Sequence, residues 1–85
     1  MFLNEADFRE AQLSGVNLGR SELRRVRFRG AKLFAADLRG SDLTGALELT
    51  ANQLAQARTD ESTTLPNGSR GPFRRFSGAE RLIGL

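Results

Sequence analysis

Arginine supplies most of the side chains in this sequence that could do chemistry. Arg9, Arg24, Arg25, Arg27 and Arg29 crowd the first 29 residues, and guanidinium groups at that density can grip phosphate oxygens. These five form the candidate anion-binding set. Lys32 is the only lysine. The chain contains no histidine and no cysteine, which removes most nucleophile–base pairs, most zinc sites and all thiol chemistry. No catalytic, cofactor-binding or metal-binding residue is expected, and no cofactor. The lack of cysteine leaves the compartment open.

A second basic feature is Pro72-Phe73-Arg74-Arg75-Phe76, which interleaves aromatic and basic residues as membrane-surface or single-strand RNA contacts do. It is short and isolated, so disorder without a partner is the favoured expectation. No apolar run approaches the ~20 residues that span a bilayer. The start, Met1 to Asp7, turns acidic before a signal-peptide core could form. A cytoplasmic protein with no membrane span is the default expectation.

The elements that carry these residues are set by a period of five. Leu3, Phe8, Leu13, Leu18, Leu23, Phe28, Leu33, Leu38 and Leu43 recur at every fifth position without a miss. Two residues before each stands a small or modest side chain, and the position between is polar from Asp7 onward. A helix cannot use this pattern, because a five-residue step rotates about 140° and scatters the leucines around the axis. A straight strand cannot either, since an odd step alternates faces. The pattern works if each pentapeptide is a short extended piece followed by a corner, with four sides closing a square coil. Residues 20 apart then stack, which places Phe8 under Phe28 and Asp7 under Arg27. Arg9 under Arg29 and Glu22 under Asp42 are like-charge rungs that must splay or find other partners.

The segments Ala36-Asp37-Leu38-Arg39-Gly40, Ser41-Asp42-Leu43-Thr44-Gly45, Ala6-Asp7-Phe8-Arg9-Glu10 and Val16-Asn17-Leu18-Gly19-Arg20 resemble the pentapeptide repeat family, whose consensus is A-[DN]-L-x-x. The resemblance implies an all-β solenoid, a right-handed quadrilateral parallel β-helix of about two coils. Glu22, Arg27 and Lys32 depart from the family's Asp or Asn, which changes the surface from acidic to mixed. Some members of the family mimic DNA and bind DNA gyrase through a long acidic rod. Residues 1–46 hold eight basic and six acidic side chains, and so short a rod could imitate only about three base pairs. Gyrase mimicry is therefore disfavoured.

The register breaks at Ala46-Leu47-Glu48, where a glutamate stands in place of the tenth leucine. Thr50 and Gln53 form a capping-box pattern, predicting a helix over Ala51 to Arg58 with Arg58 in its last turn and Leu54 pointing into the coil as a C-terminal lid. The stretch Leu49 to Ala57, with Asp60, Thr63, Leu65 and Pro66 after it, is similar to a tail that follows the last coil in bacterial members of the family. Three regions follow: a β-helix at 1–46, a capping helix and strap at 47–66, and a disordered basic tail at 67–85.

Nothing in the sequence covers the first coil, so Phe2 and Leu3 are expected to be exposed there. Either the chain forms a homodimer through that uncapped coil, or it is the remnant of a longer one. Folding the coil spreads the arginines over several sides and interleaves them with Glu5, Asp7, Glu10, Glu22, Asp37 and Asp42. A solvated surface of mixed sign is the favoured outcome. The favoured role is a protein-interaction or scaffold module with an unidentified protein partner. The alternative is an accessory contact to nucleic acid or another anionic surface through the arginine-rich corner.

Overall fold

The computed structural model describes residues 1–82. Its backbone winds in tiers joined by single-residue parallel bridges: Phe2 to Glu22, Asp7 to Arg27, Gln12 to Lys32, Asn17 to Asp37, Glu22 to Asp42 and Arg27 to Leu47. Each of these pairs is 20 residues apart, so one tier has four bridged sides. Only one residue per side is bridged, and no longer strand forms among the described residues, because two of every five residues are spent in the corner.

Each corner is a β-turn. At every corner but the one between Leu18 and Ser21, the amide of the next pentapeptide's first residue donates to the carbonyl of the inward leucine or phenylalanine, as from Ala6 to Leu3 at 3.0 Å and from Ala46 to Leu43 at 2.9 Å. The fifth residue of each repeat lies in the left-handed region. Gly15, Gly30, Gly40 and Gly45 take φ from 72° to 77°, while Glu5, Glu10, Arg20, Arg25 and Ala35 take φ from 57° to 64°. Glycine adopts this conformation freely; each of the others costs roughly 1 kcal/mol or more, met by the packing around it.

The core is graded along the coil. Leu18, Leu23, Phe28, Leu33, Leu38 and Leu43 are buried, whereas Leu3, Phe8 and Leu13 in the first tier are only partly covered. Phe8 and Phe28 meet with ring centroids 6.0 Å apart and planes inclined at 58°, a tilted arrangement that aromatic pairs favour. Ser41 enters the core as a small inward residue and satisfies its hydroxyl on the Leu38 carbonyl at 2.7 Å.

Three expectations about the second half need correcting. First, the coil continues beyond residue 46. Leu47 bridges Arg27, Arg58 bridges Asp37 and Thr64 bridges Asp42, so the chain makes more than the two coils read from the repeats. Glu48 turns outward at φ 57°, and Leu49 fills the interior in place of the missing tenth leucine.

Second, helix α1 (Ala51–Gln56) is shorter than predicted and stands in the wall rather than over the end. It occupies the third side of the third tier, between the bridges made by Leu47 and Arg58. The Ala35 amide donates to the Gln56 carbonyl at 2.8 Å. Arg58 lies beyond the Ala57 C-cap because its backbone is committed to the bridge with Asp37.

Third, residues 67–82 pack onto the end of the coil where a disordered tail was expected. Thr64 and Arg70 form an antiparallel bridge. Leu65 receives from Asn67-Gly68-Ser69 a tight reversal in which its amide donates to Ser69 at 2.7 Å and its carbonyl accepts from Gly68 at 2.8 Å. Ala79 is buried, and Phe73 packs against the core cluster. The tail has no periodicity because it makes one covering layer with irregular turns, and an open leucine layer in water is what it prevents. The expectation for residues 83–85 lies outside the described residues.

Candidate functional site

In four of the repeats the outward residue is tied to its own corner. Asp7, Asn17, Asp37 and Asp42 each accept, through Oδ1, the backbone N–H two residues further on, at 2.9 to 3.1 Å. Asp60 and Asn67 do the same beyond the repeats. A short side chain ending in an acceptor is what this geometry requires, since one extra methylene in Glu22, or a donor in Arg27 or Lys32, cannot close the same ring. At the Glu22 side the Arg24 amide turns instead to Asn4 Oδ1 in the tier below, at 2.9 Å.

The arginines of the candidate anion-binding set do not converge on one open site. Arg9 donates from Nε and Nη2 to Asp7 at 2.9 and 2.6 Å. Arg24 donates to Asp42 at 2.7 Å and Arg25 to Glu5 at 2.9 Å. Arg27 and Arg29 make no ion pair among the described residues. These pairs also resolve the like-charge rungs: Arg9 turns from Arg29 to Asp7, while Glu22 accepts from Asn4 Nδ2 at 2.9 Å and Asp42 is held by Arg24. Asp7 lies directly under Arg27, yet its ion pair is with Arg9, two residues along the same side.

The same contacts lower the carboxyl pKa values. Arg9, by side-chain and then backbone hydrogen bonds, holds Asp7 well below the ordinary range. Arg39 does the same for Asp37, lowering it to about 2. For Asp42 partial burial works the other way, and the Thr44 hydroxyl and amide together with Arg24 overcome it. A folded-state value below the unfolded value of about 3.9 adds stability that is present above the unfolded pKa and lost as pH falls through the folded one. Thermal melts should therefore be flat above about pH 5 and shift downward between about pH 4 and pH 2, and Asp37→Asn should reduce that shift. An unchanged shift in the variant would remove Asp37 as a contributor.

Thr50, Gln53 and Leu54 join α1 to the coil. Thr50 and Gln53 form a capping box, with the Gln53 amide donating to Thr50 Oγ1 at 3.2 Å and the Thr50 amide to Gln53 Oε1 at 2.8 Å. The other end of the Gln53 side chain donates from Nε2 to the carbonyls of Phe28 and Ala31, both at 2.8 Å. In the tier below, the Ala11 carbonyl accepts from the Lys32 backbone. A helix cannot present that N–H to Ala31, so the glutamine amide takes its place. Leu54 is buried. Gln53→Ala leaves two carbonyls without this donor and opens the cap, so a loss of about 1–3 kcal/mol in chemical denaturation is expected. The bridging role was not read from the sequence; the capping-box spacing that marks Gln53 speaks only of its Oε1.

The description "Pentapeptide repeats", in eight copies, matches residues 2–30 and 11–47. This chain belongs to the pentapeptide repeat family. No curated protein and no solved structure matches it.

Among the outward positions of the pentapeptide repeats, the third side differs from the rest. Gln12 and Lys32 stand there below α1, and Phe34 projects at their corner with 68% of its surface exposed. Ser14, Lys32, Phe34, Gln53 and Gln56 line a shallow groove between the coil and α1. The aromatic–basic segment is divided: Phe73 packs inward and Phe76 is fully exposed. No helix is long and apolar enough to cross a membrane among the described residues.

Proposed function

We propose that this pentapeptide repeat protein is a non-enzymatic protein-interaction or scaffold module of the bacterial cytoplasm, built on a right-handed quadrilateral β-helix. The observation that carries the reading is the outer wall. Asp7, Asn17, Asp37 and Asp42 are held in place by hydrogen bonds to their own corners, and Arg9, Arg24, Arg25 and Arg39 by ion pairs. A pre-ordered surface loses little entropy when it binds. Phe34, beside Lys32 and the Gln53 and Gln56 side chains of the helix, offers the aromatic contact around which a protein interface can form.

The test is affinity capture with and without nuclease treatment, comparing the native chain with Phe34→Ser. Retention of the same protein after nuclease, and its loss in the variant, supports the reading. Capture that disappears with nuclease points to the anionic-surface alternative. Arg27 and Arg29 are the groups that favour this alternative, but three of the five candidate guanidinium groups are already held by carboxylates. Binding of nucleic acid at low salt should then vanish near physiological salt.

A further inference from the structure

One repeat, Ala31-Lys32-Leu33-Phe34-Ala35, departs from the pattern of the coil at three of its five positions. Lys32 stands at the outward position, where it cannot accept the corner N–H, and the Phe34 amide has no hydrogen-bond partner among the described residues. Phe34 itself is the second departure. No other repeat carries an aromatic or aliphatic side chain at its fourth position, and this ring is 68% exposed. Ala35 is the third, taking φ 59° where a glycine would do so freely. A missing hydrogen bond, an exposed ring and a left-handed alanine each weaken the fold. Lys32 makes no ion pair among the described residues that would offset them. Local rules broken together without a compensating contact mark positions that serve something outside the fold.

Lys32 and Phe34 line one groove of about 360 Å³ against α1, with Gln53 and Gln56 across from them. Gln53 is held by the coil carbonyls, which leaves the exposed Gln56 as the free amide. Among the described residues no carboxylate lines this groove. The Glu10 carboxylate lies over Gly30, at the corner opposite Phe34, and Asp37 on the next side is bound to Arg39. What remains is one unmatched positive charge beside one exposed ring.

We propose, resting on the interaction role put forward above, that the groove takes an acidic peptide segment of a partner protein. An Asp or Glu carboxylate of the partner meets Lys32 and the Gln56 amide, and a large apolar side chain near it packs on Phe34. Lys32 and Phe34 are two residues apart, roughly 6 to 7 Å along an extended chain, so an extended partner matches them with the same spacing. A nucleic acid fits less well. A phosphate chain following this side would meet Glu10 at one corner and Asp37 beyond the other, with Lys32 the only cation lining the groove.

The test is selection of displayed random peptides on the immobilised 85-residue chain, with Phe34→Ser as the counter-selecting bait. Circular dichroism melts establish that each variant folds. Peptides that depend on Phe34 should carry an Asp or Glu about two residues from a large apolar side chain. Their affinity, micromolar for so small a contact, should fall about tenfold or more in Lys32→Glu, survive in Lys32→Arg and weaken as salt rises. Lys32→Glu should prefer the Asn or Gln form of the same peptide. Phe34-dependent peptides that lack an acidic residue, or that ignore Lys32→Glu, overturn the acidic partner and leave the interaction role standing. If no selected peptide depends on Phe34, both are overturned. Phe34-dependent binding of a single-stranded oligonucleotide at physiological salt would replace the peptide with nucleic acid.

Discussion

Phe28→Ala is expected to destabilise the protein by about 3–5 kcal/mol, a large share of the roughly 5–15 kcal/mol that holds a domain together. Phe28 is 0% exposed in the second tier, with Phe8 below it. Its backbone is equally committed: the amide donates to Leu47 in the tier above at 3.0 Å, and the carbonyl accepts from Ala31 and from Gln53. Truncation leaves a cavity that these bonds prevent from collapsing, which places the cost toward the upper part of the range. Phe8→Ala removes the same atoms from the partly open first tier and should cost clearly less. Urea denaturation followed by circular dichroism at low micromolar concentration compares the two without contribution from self-association. Equal losses would contradict a core graded from the first tier to the second. A small loss for Phe28→Ala would show that the tier closes around the missing ring.

The contrast between the two phenylalanines marks what the sequence makes legible. A five-residue period excludes helix and strand on geometry alone, and the pair Phe8 and Phe28 points to tiers of 20 residues, which the bridges adopt. The corners were readable in part. Gly15, Gly30, Gly40 and Gly45 all stand at the fifth position of their repeats, where φ is positive, yet Glu5, Glu10, Arg20, Arg25 and Ala35 occupy the same conformation without announcing it. Local propensity is overridden there by the packing of leucines on either side of the turn.

The arginine set was legible as composition and not as a site. Whether Arg9 reaches toward Arg29 or toward Asp7 depends on side-chain geometry at one side of the coil, which no spacing rule contains. The helix shows the same limit. Thr50 and Gln53 mark its start, but Arg58 leaves it because bridging Asp37 completes the fourth side, and that demand comes from a residue 21 positions away. Periodicity reports interactions that repeat, and the residues that end the coil act once each.

Removal of residues 67–85 is the second change expected to have a large effect. The segment looks dispensable, being rich in glycine and arginine and without apolar period. In the structure residues 67–82 complete the end of the coil. Asn67 donates to Ala79 at 3.0 Å, Gly71 to Thr63 at 2.7 Å, and Phe73 to the Thr59 hydroxyl at 2.9 Å. Leu65 is buried beneath it, and its own Ala79 is buried as well. Uncovering Leu65 and giving up these hydrogen bonds should cost about 3 kcal/mol or more, seen as a lower melting temperature and a shallower unfolding transition. A point variant separates loss of packing from loss of chain. A Cβ on Gly71 would sit 2.9 Å from the Asp60 carbonyl oxygen and 3.2 Å from the Phe73 nitrogen, both backbone atoms that cannot swing aside. Gly71→Ala should therefore destabilise by about 1–3 kcal/mol and admit trypsin at Arg74 and Arg75 more quickly than in the native chain. If both variants melt like the native protein, the coil ends at Pro66 and the segment beyond it contributes nothing to the fold.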